Sequence, residues 1–244
     1  MSNVELLDNV KHKDLKVDPR YRAEYGDSIN QVLVFPSEFA ELQKEYPILL
    51  KKDKETGQFM AVVLLGLDLD ENLFLDDSGW NAHYVPAIQA RGPFSIGLRR
   101  EETAAQKTVE AMIQVDRNDP RVREEGMPVF LEHGGYSPYL KQISKVLKVI
   151  HEGWAVAKTL YPTLDEMGLI EPVTINVDLS DNQTYSITNY FSISEEKLAQ
   201  LSGDQLKKLN EVGYLESAYH LLASQTNISR LIGMKNRKRA KEHA

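Results

Sequence analysis

The feature that most constrains the fold is a change in the spacing of apolar residues at Gly134 and Gly135. Before these glycines, apolar and polar residues alternate, as in residues 94–98 and 109–115, and alternation predicts β-strands. After them, apolar residues recur every three or four positions across residues 140–164, which predicts one face of a long helix. A block of strands followed by a block of helix is typical of an α+β fold.

Short apolar runs before the glycines predict further strands and one helix. Residues 48–51 and 59–67 flank a polar loop that contains glycine, which indicates a β-hairpin. Ser37 is the expected N-cap of a short helix that must end before Pro47. Further strands are expected at residues 32–35, 94–98, 109–115 and 129–131. Together these segments predict a meandering antiparallel sheet in the first half of the chain.

The second half predicts a long amphipathic helix, a hairpin and a helical C-terminal segment. Ser137 followed by Pro138 is the pattern of a helix start, and Gly168 can end that helix. Alternation in residues 173–179 and 184–191 predicts two paired strands joined by a turn. Further helices are indicated by the acidic residues after Ser194, a capping box of Ser202 and Gln205, a stop at Gly213 and an apolar pattern across residues 214–232.

The expected organisation is one integrated domain with two polar ends. Residues 1–30 are charged and lack periodicity, so we expect an irregular lead-in. Residues 31–234 have short connections and no low-complexity linker, which favours a single domain. Residues 235–244 form a basic tail that we expect to be solvated, although such a tail can also contact nucleic acid or an anionic surface. Its basic residues are Lys235, Arg237, Lys238, Arg239 and Lys241.

Composition excludes several classes of protein and site. The net charge of -7 argues against a general nucleic-acid binder. The absence of cysteine excludes disulfides, thiolate nucleophiles and thiolate metal sites. No apolar run approaches the length needed to span a bilayer, and the first residues do not resemble a cleavable signal peptide. We expect a cytoplasmic protein, with export by a route without a cleaved signal as the alternative.

Five segments, read in order, resemble the bacterial SapC-like family. They are HKDLKV, FPSEFAELQKEYPILL, ENLFLDDSGWNAHYVPAIQARGPFSIGLRR, GMPVFLEHGGYSPYLKQ and ISEEKLAQLSGDQLKKLNEVGYLESAYHLLAS. The family takes its name from a protein linked to a surface layer, and members in aquatic bacteria are associated with flavin-dependent halogenases, 2-oxoglutarate-type oxygenases and TonB-dependent receptors. The resemblance therefore implies either an accessory role beside such proteins or a surface-layer role, and it carries over no catalytic residues.

A non-haem iron site is one enzymatic alternative. Its facial triad needs two histidines and one carboxylate. His12 and Asp14 provide an H-x-D pair that His83, His133 or His220 could complete. The pair lies in the charged lead-in without a strand pattern, so the alternative interpretation is a surface histidine near the chain terminus.

A hydrolase site and an anion-binding site are two further possibilities around Gly134 and Gly135. Hydrolase chemistry without cysteine needs a serine–histidine–acid set, but no G-x-S-x-G elbow exists and Ser137 reads more naturally as a capping residue. The backbone at Gly134 and Gly135 precedes a helix N-terminus and could hold an anion. The alternative interpretation is a tight turn between strand and helix.

An aromatic and arginine cluster between the predicted strands is the preferred binding surface. Trp80, His83, Tyr84, Arg91 and Phe94 lie close together in sequence. Tryptophan and tyrosine offer large apolar area with a polar tip, and arginine offers a fork for carboxylate or phosphate. The alternative interpretation places the aromatic rings in the core, with Arg91 bonded to loop carbonyls or to an internal acid.

The sequence therefore predicts a non-enzymatic binding or accessory protein that recognises a peptide, a protein segment or a small ligand, without a cofactor or a metal. An enzyme or enzyme partner in an oxygenase or halogenase pathway is the second hypothesis, and a surface-layer component is the third. The 29 Lys and Arg residues and only 14 glycines argue against the third. Partners from the halogenase or oxygenase pathways and a homo-oligomer are left open. The predicted ligand-binding residues are Trp80, His83, Tyr84, Arg91, Phe94, Gly134 and Gly135.

Overall fold

The computed structural model describes residues 3–103, 106–178 and 184–242, and it describes only the backbone of residues 98–103, 106–110 and 178. The turn expected at residues 180–183 lies outside the described residues. In chain order the elements are β1 (Val4–Leu6), β2 (Lys16–Val17), β3 (Gln31–Val34), α1 (Phe39–Leu42), β4 (Ile48–Lys52), β5 (Phe59–Leu64), β6 (Leu75–Asp76), β7 (Gly79–Trp80), α2 (Ala87–Ala90), β8 (Phe94–Thr103), β9 (Gln106–Asp116), β10 (Met127–Pro128), α3 (Pro138–Glu166), β11 (Ile170–Asp178), β12 (Thr184–Ile193), α4 (Glu195–Ala199), α5 (Gly203–Glu211), α6 (Tyr214–Ser224) and α7 (Asn227–Glu242). Two 3₁₀ turns precede α1, at Ala23–Tyr25 and Pro36–Glu38.

The fold is α+β with antiparallel sheets, as the sequence predicts. The chain forms two compact units, the first from residues 1–27 and 87–151 and the second from residues 28–86 and 152–244. In the ranges that the structure describes, no helix is both long and apolar enough to cross a membrane. The expectation of one integrated domain over residues 31–234 stays a prediction.

The first unit contains a three-stranded sheet in the order β1-β9-β8 and a two-stranded sheet of β10 and β2. Its core joins these strands to the first half of α3, through Leu15, Val17, Phe94, Val115, Val129, Phe130, Leu140, Ile143 and Leu147. The lead-in, which the sequence predicts to be irregular, therefore supplies strands and core residues. Its strands pair with segments far along the chain, so local sequence gives no signal for them. The strand expected at residues 129–131 lies two residues earlier, as β10. Val129 and Phe130, which follow β10, pack into the core from irregular backbone.

The second unit contains a five-stranded sheet in the order β11-β12-β4-β5-β3. The β11–β12 hairpin joins β4 through the pairing of Phe191 with Leu50. The strands expected in one meander thus lie in separate sheets, since β8 and β9 pair with β1 in the first unit. Alternation predicts that a segment is a strand, whereas the partner of each strand depends on packing between distant segments.

Local capping signals predicted several helix boundaries, although the expected cap Ser37 lies inside the turn Pro36–Glu38 and α1 begins after Glu38. The Ser137 Oγ accepts a 3.2 Å hydrogen bond from the Leu140 amide, which confirms Ser137 as the cap of α3. Gly168 has a φ of 70°, in the left-handed conformation that ends many helices. The capping box of Ser202 and Gln205 is present at the start of α5.

The final helix differs from its prediction because it is divided into α6 and α7. Asn227 begins α7, and its side-chain amide donates hydrogen bonds of 2.8 and 3.1 Å to the carbonyls of Gln43 and Tyr46 after α1. Ser224, at the end of α6, is buried and accepts a 3.0 Å hydrogen bond from the Ile48 amide of β4. The break between the helices therefore satisfies main-chain groups elsewhere in the second unit.

The basic segment after residue 234 also differs from a solvated tail. Helix α7 continues through it to Glu242, and the Lys235 side chain is only 6% exposed. Lys235 Nζ donates a 2.8 Å hydrogen bond to Glu71 Oε1 and also contacts Asp68. Lys238 Nζ reaches the same Glu71 oxygen at 2.9 Å. These ion pairs hold α7 against the loop that follows β5.

Candidate functional site

An apolar groove of about 410 Å³ lies in the second unit, between the second half of α3 and strands β3 and β5. Its walls are largely aromatic and aliphatic. The side chains that form them include Leu33, Phe35, Phe59, Met60, Trp154 and Tyr161. Ligand pockets are typically concave, mostly apolar and of this volume range, so the groove is a candidate site of this unit.

The approach of α3 to the groove depends on Gly153. A Cβ atom at this position would overlap the Ser37 Oγ and the Phe35 Cβ. Glycine therefore allows the helix backbone to lie directly against the turn that precedes α1. The next residue, Trp154, meets the Phe35 ring edge-on, with ring centroids 6.2 Å apart and an angle of 66° between the planes.

Trp154 is the main disagreement between the helix pattern and the structure. The spacing of apolar residues places it on the buried face of α3, yet it is 53% exposed. On the same face, Leu147 and Tyr161 are each 3% exposed, whereas the nearer positions Ile150 and Ala157 are half-buried. An exposed indole beside a phenylalanine ring is the kind of surface that binding hot spots use.

The groove has a small polar rim. Asp53 and Glu55, from the loop between β4 and β5, contribute on one side, and Lys158 contributes from α3. The Asp53 carboxylate accepts hydrogen bonds from the Thr56 amide and hydroxyl and from the Glu55 amide, and these bonds lower its pKa below the ordinary value. Asp53 is therefore ionised at neutral pH and fixes the loop that borders the groove.

Tyr161 lines the groove from α3. Its phenol is buried, and burial raises the pKa of Tyr161 above the ordinary range of tyrosine. The hydroxyl lies next to the main chain at Ala61 without a hydrogen bond of normal geometry. Tyr161 therefore presents a neutral phenol to the groove at neutral pH.

The sequence-predicted residues Trp80, His83 and Tyr84 lie together in the second unit, where their polar atoms bind groups on or near α1. The Trp80 indole donates a 2.8 Å hydrogen bond to the Tyr46 hydroxyl, which donates to the Tyr84 carbonyl at 2.6 Å. The Tyr84 hydroxyl donates to Glu38 Oε2 at 3.0 Å. Burial and the Glu38 carboxylate raise the pKa of Tyr84 far above its ordinary value.

Two buried carboxylates hold this loop in place. Glu45 accepts a 2.8 Å hydrogen bond from the His83 amide and lies 3.2 Å from His83 Nδ1 and 3.4 Å from the Arg230 guanidinium. Burial alone raises the pKa of Glu45, but these hydrogen bonds outweigh it and lower the pKa. Glu38 Oε1 accepts from the Phe35 amide at 3.0 Å, so the same carboxylate fixes both Tyr84 and a wall of the groove. The His83 side chain is 99% exposed.

The other sequence-predicted residues lie in the first unit. Phe94 is fully buried in the core, and Arg91 Nη1 donates a 2.8 Å hydrogen bond to the Phe94 carbonyl. Gly134 and Gly135 have φ angles of 84° and 85° and form the turn before α3. Gly135 also lines a hollow of about 200 Å³ beside Tyr136. The predicted set is thus divided between the two units.

His12, the candidate iron ligand of the lead-in, is hydrogen-bonded within the protein. Both ring nitrogens of His12 are engaged, Nδ1 with the Asp8 amide at 3.0 Å and Nε2 with Glu5 Oε1 at 2.8 Å. Hydrogen bonds from Lys11 and His12 lower the pKa of Glu5 to about 2. In the part of the chain that the structure describes, no group of three or more His, Asp or Glu side chains is arranged to hold a metal ion.

Sequence reasoning did not identify the groove, although one signal for it was present. A glycine inside a strongly periodic helix lowers helix stability, so it often marks a close approach to another segment. Gly153 is such a glycine, and it directly precedes the exposed Trp154. The contribution of Phe35 and Phe59 depends on the packing of β3 and β5 and has no comparable local signal.

The comparisons with known proteins give one match. The profile of the SapC family matches residues 7–231 of the 244 residues. No curated protein and no solved structure matches the chain significantly. The family match spans strands and helices of both compact units and includes every residue that forms the groove. The chain therefore belongs to the SapC family.

Proposed function

We propose that this protein is a non-enzymatic binding protein that takes up a small, largely apolar molecule in the groove formed by β3, β5 and α3. The observation that carries the proposal is the half-exposed Trp154 in the wall of a 410 Å³ apolar groove. Leaving a large apolar side chain in water forfeits about 1.5–3 kcal/mol of burial free energy. A ligand that covers the indole would recover part of that free energy.

The size of the groove favours a small molecule over a folded partner. Pockets for drug-sized ligands occupy about 300–1,000 Å³, whereas stable protein interfaces bury roughly 800 Å² per partner. The groove volume of about 410 Å³ lies in the first range. Its aromatic walls favour a ligand with a flat or aliphatic body, and the rim of Asp53, Glu55 and Lys158 accommodates a polar end.

The rigidity of the walls supports the same proposal. Phe35 is fixed by the Glu38 carboxylate and by the close approach of α3 at Gly153. Pre-formed walls reduce the ordering entropy that a ligand must overcome when it binds. An accessory role beside halogenases or oxygenases, and a cytoplasmic location, remain predictions that rest on the family resemblance and on the sequence.

Intrinsic fluorescence can test the proposal, because the chain contains only two tryptophans. Trp80→Phe leaves Trp154 as the single indole, and titration with the uncharged probe N-phenyl-1-naphthylamine should quench its emission to saturation. Trp154→Ala, followed through the emission of the probe itself, should weaken probe binding about tenfold or more, as expected for a tryptophan hot spot. Ala157→Trp should abolish binding by filling the groove. Circular dichroism would confirm that each variant is folded.

Val156→Ala is the matched control, since Val156 is 38% exposed on the same helix and does not line the groove. This variant should bind the probe as the wild type does. Solvent extraction of natively purified protein, followed by mass spectrometry, should recover an apolar molecule from the wild type and not from Ala157→Trp. Equal probe binding by wild type and Ala157→Trp would refute the groove as the site. A lack of probe binding to the wild type would refute the small-molecule ligand and leave a protein segment as the occupant to examine.

A further inference from the structure

We propose that a polar hollow in the first compact unit binds a small polyanion, a molecule with two or more phosphate or carboxylate groups. The hollow has a volume of about 300 Å³ and lies where residues 11–16 of the lead-in meet residues 117–124, after β9. The site is separate from the groove of the second unit and does not depend on the proposed function. The argument rests on cationic side chains that border one open space and keep unused hydrogen-bond donors.

Cations predominate among the charged side chains that line the hollow. The cationic ones are Lys11, Lys16, Arg117 and Arg123, and the carboxylates are Asp14 and Glu124. Solvent reaches the hollow, since the side chains of Arg117 and Arg123 are 38% and 42% exposed. The Asp14 side chain is 88% exposed, so water screens its negative charge more strongly. An anion that enters this space therefore meets more positive than negative charge.

Backbone contacts hold the two sides of the hollow together. Val17 and Val122 form an antiparallel bridge, and the Arg123 amide donates a 3.2 Å hydrogen bond to the Lys16 carbonyl. His12, which also lines the hollow, is buried, and both of its ring nitrogens are engaged. The cationic side chains therefore start from a fixed frame, which lowers the ordering cost of binding an anion.

Arg117 has the largest number of unused donors. A guanidinium carries five N–H groups. Within the described side chains, that of Arg117 makes one polar contact, a 3.9 Å ion pair from Nη1 to Glu5 Oε1, which is too long for a hydrogen bond. Glu5 is already engaged by Lys11 and His12. The Arg117 fork is therefore available to the paired oxygens of a phosphate or a carboxylate.

Lys16 and Arg123 add donors at the same hollow. The Lys16 side chain is exposed, and among the residues that the structure describes no acceptor lies within hydrogen-bond distance of its Nζ. Arg123 donates from Nε to Glu125 Oε2 at 3.1 Å and from Nη1 to the Tyr25 hydroxyl at 3.0 Å, which leaves Nη2. An anion with two charged groups can contact more of these donors at once than a monovalent anion can.

Nearby carboxylates limit the strength of this site. Asp14 and Glu124 border the hollow, and Glu5 pairs with Lys11. We therefore expect a moderate affinity that falls as the salt concentration rises. The same cations disfavour a metal ion beside His12 and Asp14, although these two residues line the hollow.

The test uses isothermal titration of the full chain with sodium pyrophosphate and, separately, with sodium citrate. The wild type should bind at least one probe saturably, and added sodium chloride should weaken the binding. Arg117→Gln should weaken it about tenfold, and Lys16→Gln about three- to tenfold, because each removes charged hydrogen-bond donors. Asp14→Asn should strengthen it about twofold, since it removes a negative charge at the hollow. Binding of either probe supports the site, and the preferred probe identifies the phosphate or the carboxylate as the group recognised.

Lys141→Gln is the matched control for charge, because Lys141 is an exposed residue of the same unit that does not line the hollow. It should bind as the wild type does. Arg117→Lys keeps the charge but loses the fork, so it should fall between wild type and Arg117→Gln, and it keeps the test valid if Arg117→Gln does not fold. The proposal is refuted if neither probe binds the wild type saturably, or if Lys141→Gln weakens binding as much as Arg117→Gln does.

Discussion

Replacing Lys235 by methionine should destabilise the second unit far more than a change in a solvated tail would. The lysine is 6% exposed and its main partner, Glu71, is 4% exposed. Methionine has a similar length and can fill the same space, so the change removes the charge and little volume. What remains is a buried Glu71 carboxylate that has lost its closest buried cation.

The size of the effect follows from the partners that Glu71 retains. Breaking a buried ion pair by removing one partner costs about 3–5 kcal/mol. Glu71 keeps Lys238 at 2.9 Å and the Leu67 amide at 3.1 Å, and Asp68 is half exposed, so we expect the lower end of that range. A loss of about 3 kcal/mol lowers the melting temperature by roughly 6–12 °C in a chain of this size.

Thermal and urea unfolding followed by circular dichroism would measure this loss. Lys238→Met is the matched control, because Lys238 contacts the same Glu71 oxygen from the same helix but is 47% exposed. We expect it to cost about 1 kcal/mol or less. Equal effects of the two substitutions would refute the argument that burial makes the Lys235 pair important.

Three further predictions concern pH and glycine positions. Burial alone would raise the pKa of Glu71 and lower that of Lys235. Hydrogen bonds to Glu71 from Lys235, Lys238 and the Leu67 amide outweigh burial and shift the pKa of Glu71 below 4.5, and hydrogen bonds to Asp68 and Glu71 shift the pKa of Lys235 above 10.5. The contribution of Glu71 to folding stability should therefore be complete above pH 4.5 and be lost as the pH falls through its folded pKa. The contribution of Lys235 should be complete below pH 10.5 and be lost as the pH rises through its folded pKa. Melting temperatures from neutral pH into acid and alkali would measure both losses, and a flat profile would contradict this linkage. Gly153→Ala should lower stability by about 1–2 kcal/mol in urea titrations, since overlap with the preceding turn outweighs the gain of about 1 kcal/mol in helix propensity, and a more stable variant would contradict the close packing. Gly66→Ala should cost about 1–3 kcal/mol because its Cβ would overlap the Glu71 carbonyl, whereas Gly203→Ala, with open space around it, should be neutral in the same assay, and a neutral Gly66→Ala would show that the loop relaxes freely.

Much of the fold could be predicted from local sequence signals. The length of α3, the hairpin of β4 and β5, the hairpin of β8 and β9 and the capping box of α5 all follow from periodicity and capping residues. The class of the fold follows from the order of these elements. The division of the strands between two sheets could not be predicted, because alternation reports burial of one face and carries no information about the partner strand.

The predicted binding residues illustrate the same limit. Trp80, Tyr84 and Arg91 stand out in the sequence for their chemistry and their closeness to one another. In the structure, Trp80 and Tyr84 donate to Tyr46 and Glu38 in the second unit, and Arg91 donates to a carbonyl in the first unit. Whether a polar side chain is satisfied internally depends on buried acceptors that lie tens of residues away in the sequence.

The sequence by itself determined where most of the longer strands and helices form, because 3.6- and 2-residue periods, caps and glycine stops act within a few residues. Only the tertiary structure decided which charges and rings are buried. It paired Lys235 with Glu71, far along the chain, and it left Trp154 exposed on a helix face that otherwise packs inward. Burial and ion pairing depend on atoms brought together from distant segments, so no local pattern of residues could specify them.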